Sequence, residues 1–472
     1  MKLISKEAIV LLFLILLTSA VSLSIANNPR VLFGSVVGAL TILIVVPSVL
    51  KLSKRRLDIF EPVFFFSILF LFFHVIKSID IYYFGSRIVT PKSLQSNIAA
   101  IGYALIGYLF FLGGYYMRLG RTIGRRIPVI SKHDDHANAT FVYVGMMIIG
   151  LVSLFILTHR GGFINYITYL NVRAKFFSQR GIYYYFLLFM PISFLLWYAF
   201  SFTKRSSFKN GLTVIFFLLS LCGTVCTGSR LNVVMLILGT LIIRHYMHKR
   251  VNFKFVSLIG IAMVILLVFG GYLRRQGLDP VEKVRLGVER DTISQNVFVN
   301  TFHLVARRFY PHEELILLID NMPEKLDFQY GRSYLSAAFY FVPGGIMDRD
   351  LKKRLSMGRL FTSTFFPGVE EQGLTTFSPG ILGEGYMNFH VFGVITGMFI
   401  LGVFYRSLYA YLQSGVSDRQ RVLIYAIVLP GMAKIVKGGF VSGIKLLLGF
   451  FVPLLIGIFL MERLKSKRCL PG

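Results

Sequence analysis

In "GTVCTGSRLNVVM" (223–235) one arginine stands between two stretches without charge: from Gly211 to Ile243, Arg230 is the sole charged side chain. An arginine at mid-bilayer costs about 2.5–3.5 kcal/mol even on lenient insertion scales, so it is kept where it meets water, a partner or a ligand. Its planar fork fits phosphate oxygens two at a time. The TGS turn before it exposes backbone N–H groups at a helix start, which is itself an anion-binding arrangement. Arg173, in "HRGGFINYITYLNVRAKFFSQRG" (159–181), and Arg274 and Arg275, opening "RRQGLDPVEKVRLGVERD" (274–291), are further cations of interest. Of opposite sign is Glu384, early in the apolar run "TTFSPGILGEGYMNFHVFGVITGMFILG" (375–402). A carboxylate there is wet, paired, catalytic, or a complement to the helix dipole. His303, Glu313 and Glu314, in "VNTFHLVARRFYPHEELILLIDNM" (299–322), are acid–base candidates, against the plainer reading of a solvated helix face. The chemistry these residue types suit is the handling of a phosphate-bearing group by arginine and of a proton by a carboxylate or imidazole.

The elements that must position them are membrane helices. Only 15% of the 472 residues are charged and 55% are hydrophobic, with mean hydropathy +0.66, whereas about a quarter of a soluble protein is charged. Runs of about 20 apolar residues cross the hydrocarbon core. They fall near 7–26, 31–50, 60–77, 96–117, 139–158, 183–201, 210–227, 231–246, 253–273, 380–404, 422–440 and 443–461. The sequence therefore predicts an all-α polytopic membrane protein of about 12 transmembrane helices. Residues 1–273 carry nine spans, 274–378 form one large outer loop, and 379–472 carry the last three. The apolar start, with Lys2 and Lys6 before it, has the look of a signal peptide, but a second span follows at once and an uncleaved first helix is the better reading.

Charge orients the bundle. "KLSKRR" (51–56), "RLGRTIGRR" (118–126), "TKRSSFK" (203–209), "RHYMHKR" (244–250) and "ERLKSKR" (462–468) all fall on one side. The positive-inside rule makes that side, with both termini, cytoplasmic. The net charge of +29 is thus largely topological, and no zinc-finger spacing or RNA-binding motif points to nucleic acid. Three segments on the other side are also basic: 159–181, the turn with Arg230, and 274–291. Long loops cross whatever their charge, but for three segments able to converge on one face a bound anion is the better account. By this placement Arg230 lies at the outer end of two closely linked helices, the alternative being an arginine that snorkels to headgroups.

The long loop has a mixed pattern. Residues 299–322 show helical spacing and predict an amphipathic helix along the outer membrane face, and 334–347 is too short to span. No phosphate-binding loop, HExxH site or serine elbow is present. The loop's acidic residues are scattered, with no DxD pair, and Cys222, Cys226 and Cys469 make neither a disulfide framework nor a metal set, so no metal or cofactor is expected. Lys434 and Lys437, in "GMAKIVKGGFVSGIK" (431–445), are the charges least accounted for: they line a cavity or mark a broken helix.

The "TGSR" turn (Thr227–Arg230), the outer loop with "FQYGRSY" (328–334) and "LGEGYMNFHVFG" (382–393) together resemble the Wzy-type oligosaccharide repeat-unit polymerases of bacterial O-antigen and capsule assembly. The resemblance covers the layout of the chain, with motifs mainly in 223–243 and 328–402. It departs after the tyrosine-glycine element, where "VPGGIMDRDLKKR" replaces a proline and basic pattern common in that family. What it implies is a GT-C-like membrane glycosyltransferase of the bacterial inner membrane. Such an enzyme transfers a glycan from undecaprenyl pyrophosphate to an incoming lipid-linked unit, without metal and with inversion. The partners implied are undecaprenyl-pyrophosphate-linked glycans, membrane lipid, a chain-length regulator and a flippase. Arg230 and Arg173 are then expected at the pyrophosphate with Arg274 or Arg275, and Glu384 first and His303 second as general base. Tyr330 and Tyr334 are expected to stack on sugar rings, or else to belong to the interfacial belt. An O-antigen ligase, which shares the donor, and a flippase or other transporter are the rival readings.

Overall fold

The computed structural model describes residues 28–53, 58–85, 94–128, 140–159, 162, 166, 181–200, 207–262, 302–303, 305–306, 309–338, 355–372 and 376–466. Among them there are fifteen helices: α1 Pro29–Ser53, α2 Pro62–Phe84, α3 Leu94–Tyr116, α4 Arg118–Arg126, α5 Thr140–Thr158, α6 Gly181–Phe200, α7 Ser207–Cys226, α8 Arg230–His248, α9 Phe253–Ala262, α10 Pro311–Asn321, α11 Arg332–Ala338, α12 Met357–Phe365, α13 Pro367–Gln372, α14 Gly380–Gln413 and α15 Arg419–Ser466. Nine of these are long and apolar enough to cross a membrane, the polytopic helical architecture the composition predicts. The predicted span at 7–26 lies outside the described residues, and of the one at 253–273 only α9 lies within them.

Two of the nine are folded back on themselves. Helix α15 breaks at Gly439, whose φ is +81°, a left-handed conformation that suits glycine. Gly431 faces Leu447 and Gly443 faces Ile435, pairs equidistant from the break, so the two arms run antiparallel. At 1.5 Å per residue, 419–438 and 440–466 are about 30 and 40 Å long, each a span. They cover the stretches read from the sequence at 422–440 and 443–461, each arm long enough to cross. Helix α14 breaks at Phe389 and His390, and a Cβ at Gly393 would strike the Gly385 carbonyl, so the short arm 380–388 doubles back on the long arm. The arm long enough to cross is 391–413, about 35 Å, later than the expected 380–404 because the first nine residues turn back.

Close approach of backbones holds the long arm of α14 in place. A Cβ on Gly114 of α3 would strike the Phe399 carbonyl, and one on Gly402 would strike that of Phe111. Small residues that let helices touch backbone to backbone are the usual means of association in lipid, where apolar side chains gain little by leaving the tails. Beside this seam Phe66 and Phe70 of α2 stack on Tyr108 and Phe111 of α3, with Phe66 and Phe111 centroids 3.8 Å apart.

Polar groups collect at the two ends of that aromatic stack. At one end, Asp58 accepts hydrogen bonds from Tyr246 Oη (2.6 Å) and Tyr409 Oη (2.8 Å). Glu61 pairs with Lys51 (2.5 Å) and accepts from Tyr115 Oη (3.1 Å). The opposite end holds the groups that could do chemistry. Helix α10 packs against α2, α3 and α14, and His312, Glu313 and Glu314 are buried. The plainer reading of Glu313 and Glu314 as solvated is therefore corrected. Their pattern is amphipathic in spacing, but the face that carries them meets other polar helix ends.

Candidate functional site

Glu384 lies midway along the short arm of α14, 1% exposed. One carboxylate oxygen accepts the backbone N–H of Phe440, the first residue after the α15 break, and Val441 N–H also bonds the carboxylate. The second arm of α15 thus begins on a carboxylate, which suits the orphan N–H groups and positive dipole of a helix start. Lys445 adds positive charge nearby. This is the physical account of a buried glutamate in an apolar run. It also explains Gly439, since a Cβ there would lie 2.5 Å from the Glu384 carboxylate.

The "FQYGRSY" element clasps the end of the same short arm. Gln329 N–H donates to Met387 O (2.8 Å), Tyr330 N–H to Asn388 O (3.1 Å) and Gly331 N–H to Asn388 Oδ1 (3.0 Å). Asn388 Nδ2 donates to Ser333 Oγ (2.7 Å) and to Glu384 O (2.8 Å). Asn388 is a residue the sequence reading missed. Its signal was an amide one turn after Glu384 inside an apolar run. Tyr330 and His390 both have positive φ, 44° and 53°, an uncommon conformation for residues with side chains. His390 is walled by Tyr386 and Phe328. Tyr330 is 74% exposed, so its ring is accessible, whereas Tyr334 is half-buried against Phe440, with burial and Glu384 raising its hydroxyl's proton affinity.

A second set of groups adjoins it. The π-helical turn Leu71–Ile76 in α2 shifts the helix phase, and His74, Lys77, Ser78 and Asp80 all come to lie buried. Lys77 Nζ bridges Asp80 (2.9 Å) and Glu313 (3.0 Å). His303 Nδ1 meets Asp80 Oδ1 at 2.5 Å. Burial, with His74 and Lys77 beside it, holds His312 well below the usual imidazole range, so it is neutral. His312 Nε2–H donates to Asn97 Oδ1 (2.8 Å), leaving Nδ1 to face His74 Nδ1 at 3.5 Å. None of Lys77, Asp80 and His312 was singled out in the sequence. The signal for the first two was a lysine and an aspartate three apart at the end of an apolar span.

Glu314 accounts for the two lysines. Burial raises its pKa well above the carboxylate range, opposed by the charges of Lys437 and Lys434 and by the Ser378 N–H. Arg230 begins α8 after a turn pinned by Thr227: its Oγ1 donates to Thr224 O (2.6 Å) and accepts from Ser229 N–H (3.2 Å) and Asn232 Nδ2 (3.0 Å). Gly228 takes the positive φ, +64°, that this turn needs. Arg173, Arg274 and Arg275 lie outside the described residues. Of the sequence-predicted groups, Glu384 and Tyr334 adjoin one another, Tyr330 sits at the end of the same arm, and His303 belongs to the Asp80 set.

Donors, carboxylates and imidazoles therefore converge where the ends of α2, α10, α14 and α15 meet. Gly380 marks the junction, since a Cβ there would lie 2.8 Å from Val436 O and 2.9 Å from Pro311 Cβ. In comparison with known proteins, residues 58–298 match the family described as "Putative O-antigen polymerase". No curated protein and no solved structure matches the chain.

Proposed function

Since the chain belongs to the O-antigen polymerase family, a membrane family that polymerises glycan in O-antigen synthesis, we propose that it joins undecaprenyl-pyrophosphate-linked repeat units at the outer face of the inner membrane, with both its termini cytoplasmic. The acceptor is the terminal sugar of an incoming unit. Its hydroxyl oxygen forms the new bond to the anomeric carbon of the growing chain, and the bond from that carbon to the diphosphate oxygen breaks. Undecaprenyl pyrophosphate leaves with the electron pair, and attack from the face opposite the leaving group inverts the centre. The charge developing on the leaving diphosphate calls for cations, a task assigned to Arg230 and, from the sequence, Arg173 with Arg274 or Arg275; a metal ion is not invoked.

The observation that supports this reading best is the His303–Asp80 contact. With Nδ1–H donating to Asp80, the lone pair is on Nε2, and the carboxylate fixes the tautomer and orientation of the ring. Of the two base candidates, His303 thus has the orientation a base needs. Glu384 has its carboxylate engaged by the start of the second α15 arm, which suits an anchoring role. Tyr330 is the ring placed to stack on a sugar.

The test is a gel of surface polysaccharide and lipid-linked intermediates from a strain lacking the gene. Collapse of the ladder to single repeat units on the acceptor supports polymerisation. Long chains that persist on undecaprenyl pyrophosphate would instead make the protein a ligase, and single units held at the cytoplasmic face would make it a flippase.

A further inference from the structure

Position 390 sits on backbone that glycine adopts freely and histidine does not. His390 has φ 53° and ψ −141°, close to the first central position of a type II′ turn, where glycine prevails because it has no Cβ to clash. Tyr330, across the clasp, is left-handed as well, with φ 44°. The two segments touch, since a Cβ at Gly331 would lie 3.3 Å from the Phe389 ring. Glycine stands at 331, 385 and 393 around this fold-back, yet 330 and 390 keep their side chains at a conformational cost. Strain of this kind is held where the side chain has a task that glycine cannot perform.

The surroundings of the imidazole define that task. Its ring centroid lies 4.8 Å from that of Tyr386, 5.7 Å from Phe328 and 6.1 Å from Tyr103. Phe328 in turn meets Tyr330 at 6.5 Å, so one phenyl ring adjoins both strained side chains. His390 and Tyr330 are both exposed, and among the described residues neither the imidazole nitrogens nor the phenol hydroxyl has a hydrogen-bond partner. Packing alone asks for an apolar side chain at 390, whereas an imidazole adds a donor and an acceptor. Asn388, which bonds Gly331 N–H and Ser333 Oγ, holds the two segments together. The result is a wall of aromatic rings with an open polar group on either side of Phe328.

Resting on the polymerase reading, we propose that His390 and Tyr330, with Phe328 between them, form a subsite for the glycan of a lipid-linked substrate. A sugar ring is apolar on its C–H faces and carries hydroxyls round its edge, each both donor and acceptor. The aromatic rings take the faces, and the imidazole and phenol take the hydroxyls, since each offers one donor and an acceptor. A few polar groups set in an aromatic lining is the usual composition of a small-molecule site. Tyr103, part of this wall, and Asn97, the partner of His312, are six residues or about 9 Å apart along α3. The subsite thus lies beside the buried polar set along that helix, at a separation an oligosaccharide bridges.

The test is binding of oligosaccharides, released by mild acid from the host's own surface polysaccharide, to the full-length protein in lipid nanodiscs, read by saturation-transfer NMR. His390→Gly removes the imidazole and the strain together, so it should bind at least about five-fold more weakly while melting at or above the wild-type temperature. His390→Phe keeps a ring against the wall and loses both nitrogens, and should bind as weakly. Wild-type affinity in either variant overturns the proposal. So does the absence of any transfer to the wild-type protein, which leaves the exposed rings as a membrane anchor. If neither variant folds, Tyr330→Gly, at a position 74% exposed, is read by the same standard. Polymer formation by the wild-type gene in a deletion strain is scored separately. No restored ladder together with His390-dependent binding sinks the polymerase reading and leaves the glycan subsite. A restored ladder with binding indifferent to His390 does the reverse.

Discussion

At the scale of single residues, the site is a set of charges that each have a stated reason to be buried. Lys77 is the most constrained, with two carboxylates within 3.0 Å. Lys77→Met leaves both without their cation, and breaking a buried pair in this way typically costs about 3–5 kcal/mol; a fall in thermal stability of the purified protein checks it. Asp80→Asn keeps the shape but replaces the carboxylate that fixes the tautomer and orientation of His303. Loss of a positioned base usually lowers turnover about 100- to 10,000-fold, so in vitro polymerisation should fall on that scale for His303→Gln and somewhat less for Asp80→Asn, with KM little changed. Arg230→Lys keeps charge and loses the fork, and should shorten chains while leaving membrane insertion intact; chains of normal length would remove Arg230 from the diphosphate. Glu384→Gln retains an oxygen for Phe440 N–H, so turnover should persist with a lower melting temperature. Loss of turnover at unchanged stability would return the base to Glu384. For Glu314 the linkage has a definite sign. Its folded-state pKa is raised, so the folded protein binds the proton more tightly than the unfolded chain, and stability falls as pH climbs above the ordinary carboxylate value, about 4.3. Glu314→Gln mimics the protonated form, and its melting temperature relative to wild type should rise between pH 5 and pH 8.

At the scale of elements, what decides the site is two helix breaks and one inserted helix. The span pattern was legible because apolar length is a local property: α3, α5 and α7 and both arms of α15 all lie where hydropathy puts them. Also legible were the TGSR turn as a helix junction and Glu384 as a charge needing a reason. The fold-back of 380–388 was not, because an apolar helix that doubles back and one that continues have the same composition; only the Gly385–Gly393 approach tells them apart. Burial of α10 was equally hidden. His312, Glu313 and Glu314 read as a wet face until Asn97, Lys77 and the α15 lysines are brought opposite them, and those partners lie far away in sequence. Asn388→Leu tests the clasp: it removes three hydrogen bonds from the tip of the short arm and should free 329–333 to proteolysis while the remaining helices stay protected. Protection unchanged in the variant would mean that the backbone bonds of Gln329 and Tyr330 suffice.

At the scale of the whole molecule, the described residues gather polar groups at the two ends of the α2–α3 aromatic stack. On α2 alone, Glu61 belongs to one end and Lys77 to the other, sixteen residues or about 24 Å apart, with Phe66 and Phe70 stacked in the interval. That interval is an electrical insulator. Transmembrane voltage falls across low-dielectric material, where moving one charge through 100 mV is worth about 2.3 kcal/mol, and between Glu61 and Lys77 this helix carries no Asp, Glu, Lys or Arg. This stretch of α2 gives voltage no formal charge to pull. Sealed vesicles supplied with lipid-linked units on their outer face should therefore make polymer at the same rate with a protonophore as without, and a rate that collapses on dissipating the potential would reveal a current path through the aromatic stack. On the proposed reaction, the work of each cycle comes from the diphosphate ester that is broken, and the rate of polymerisation follows substrate supply and not the energised state of the cell.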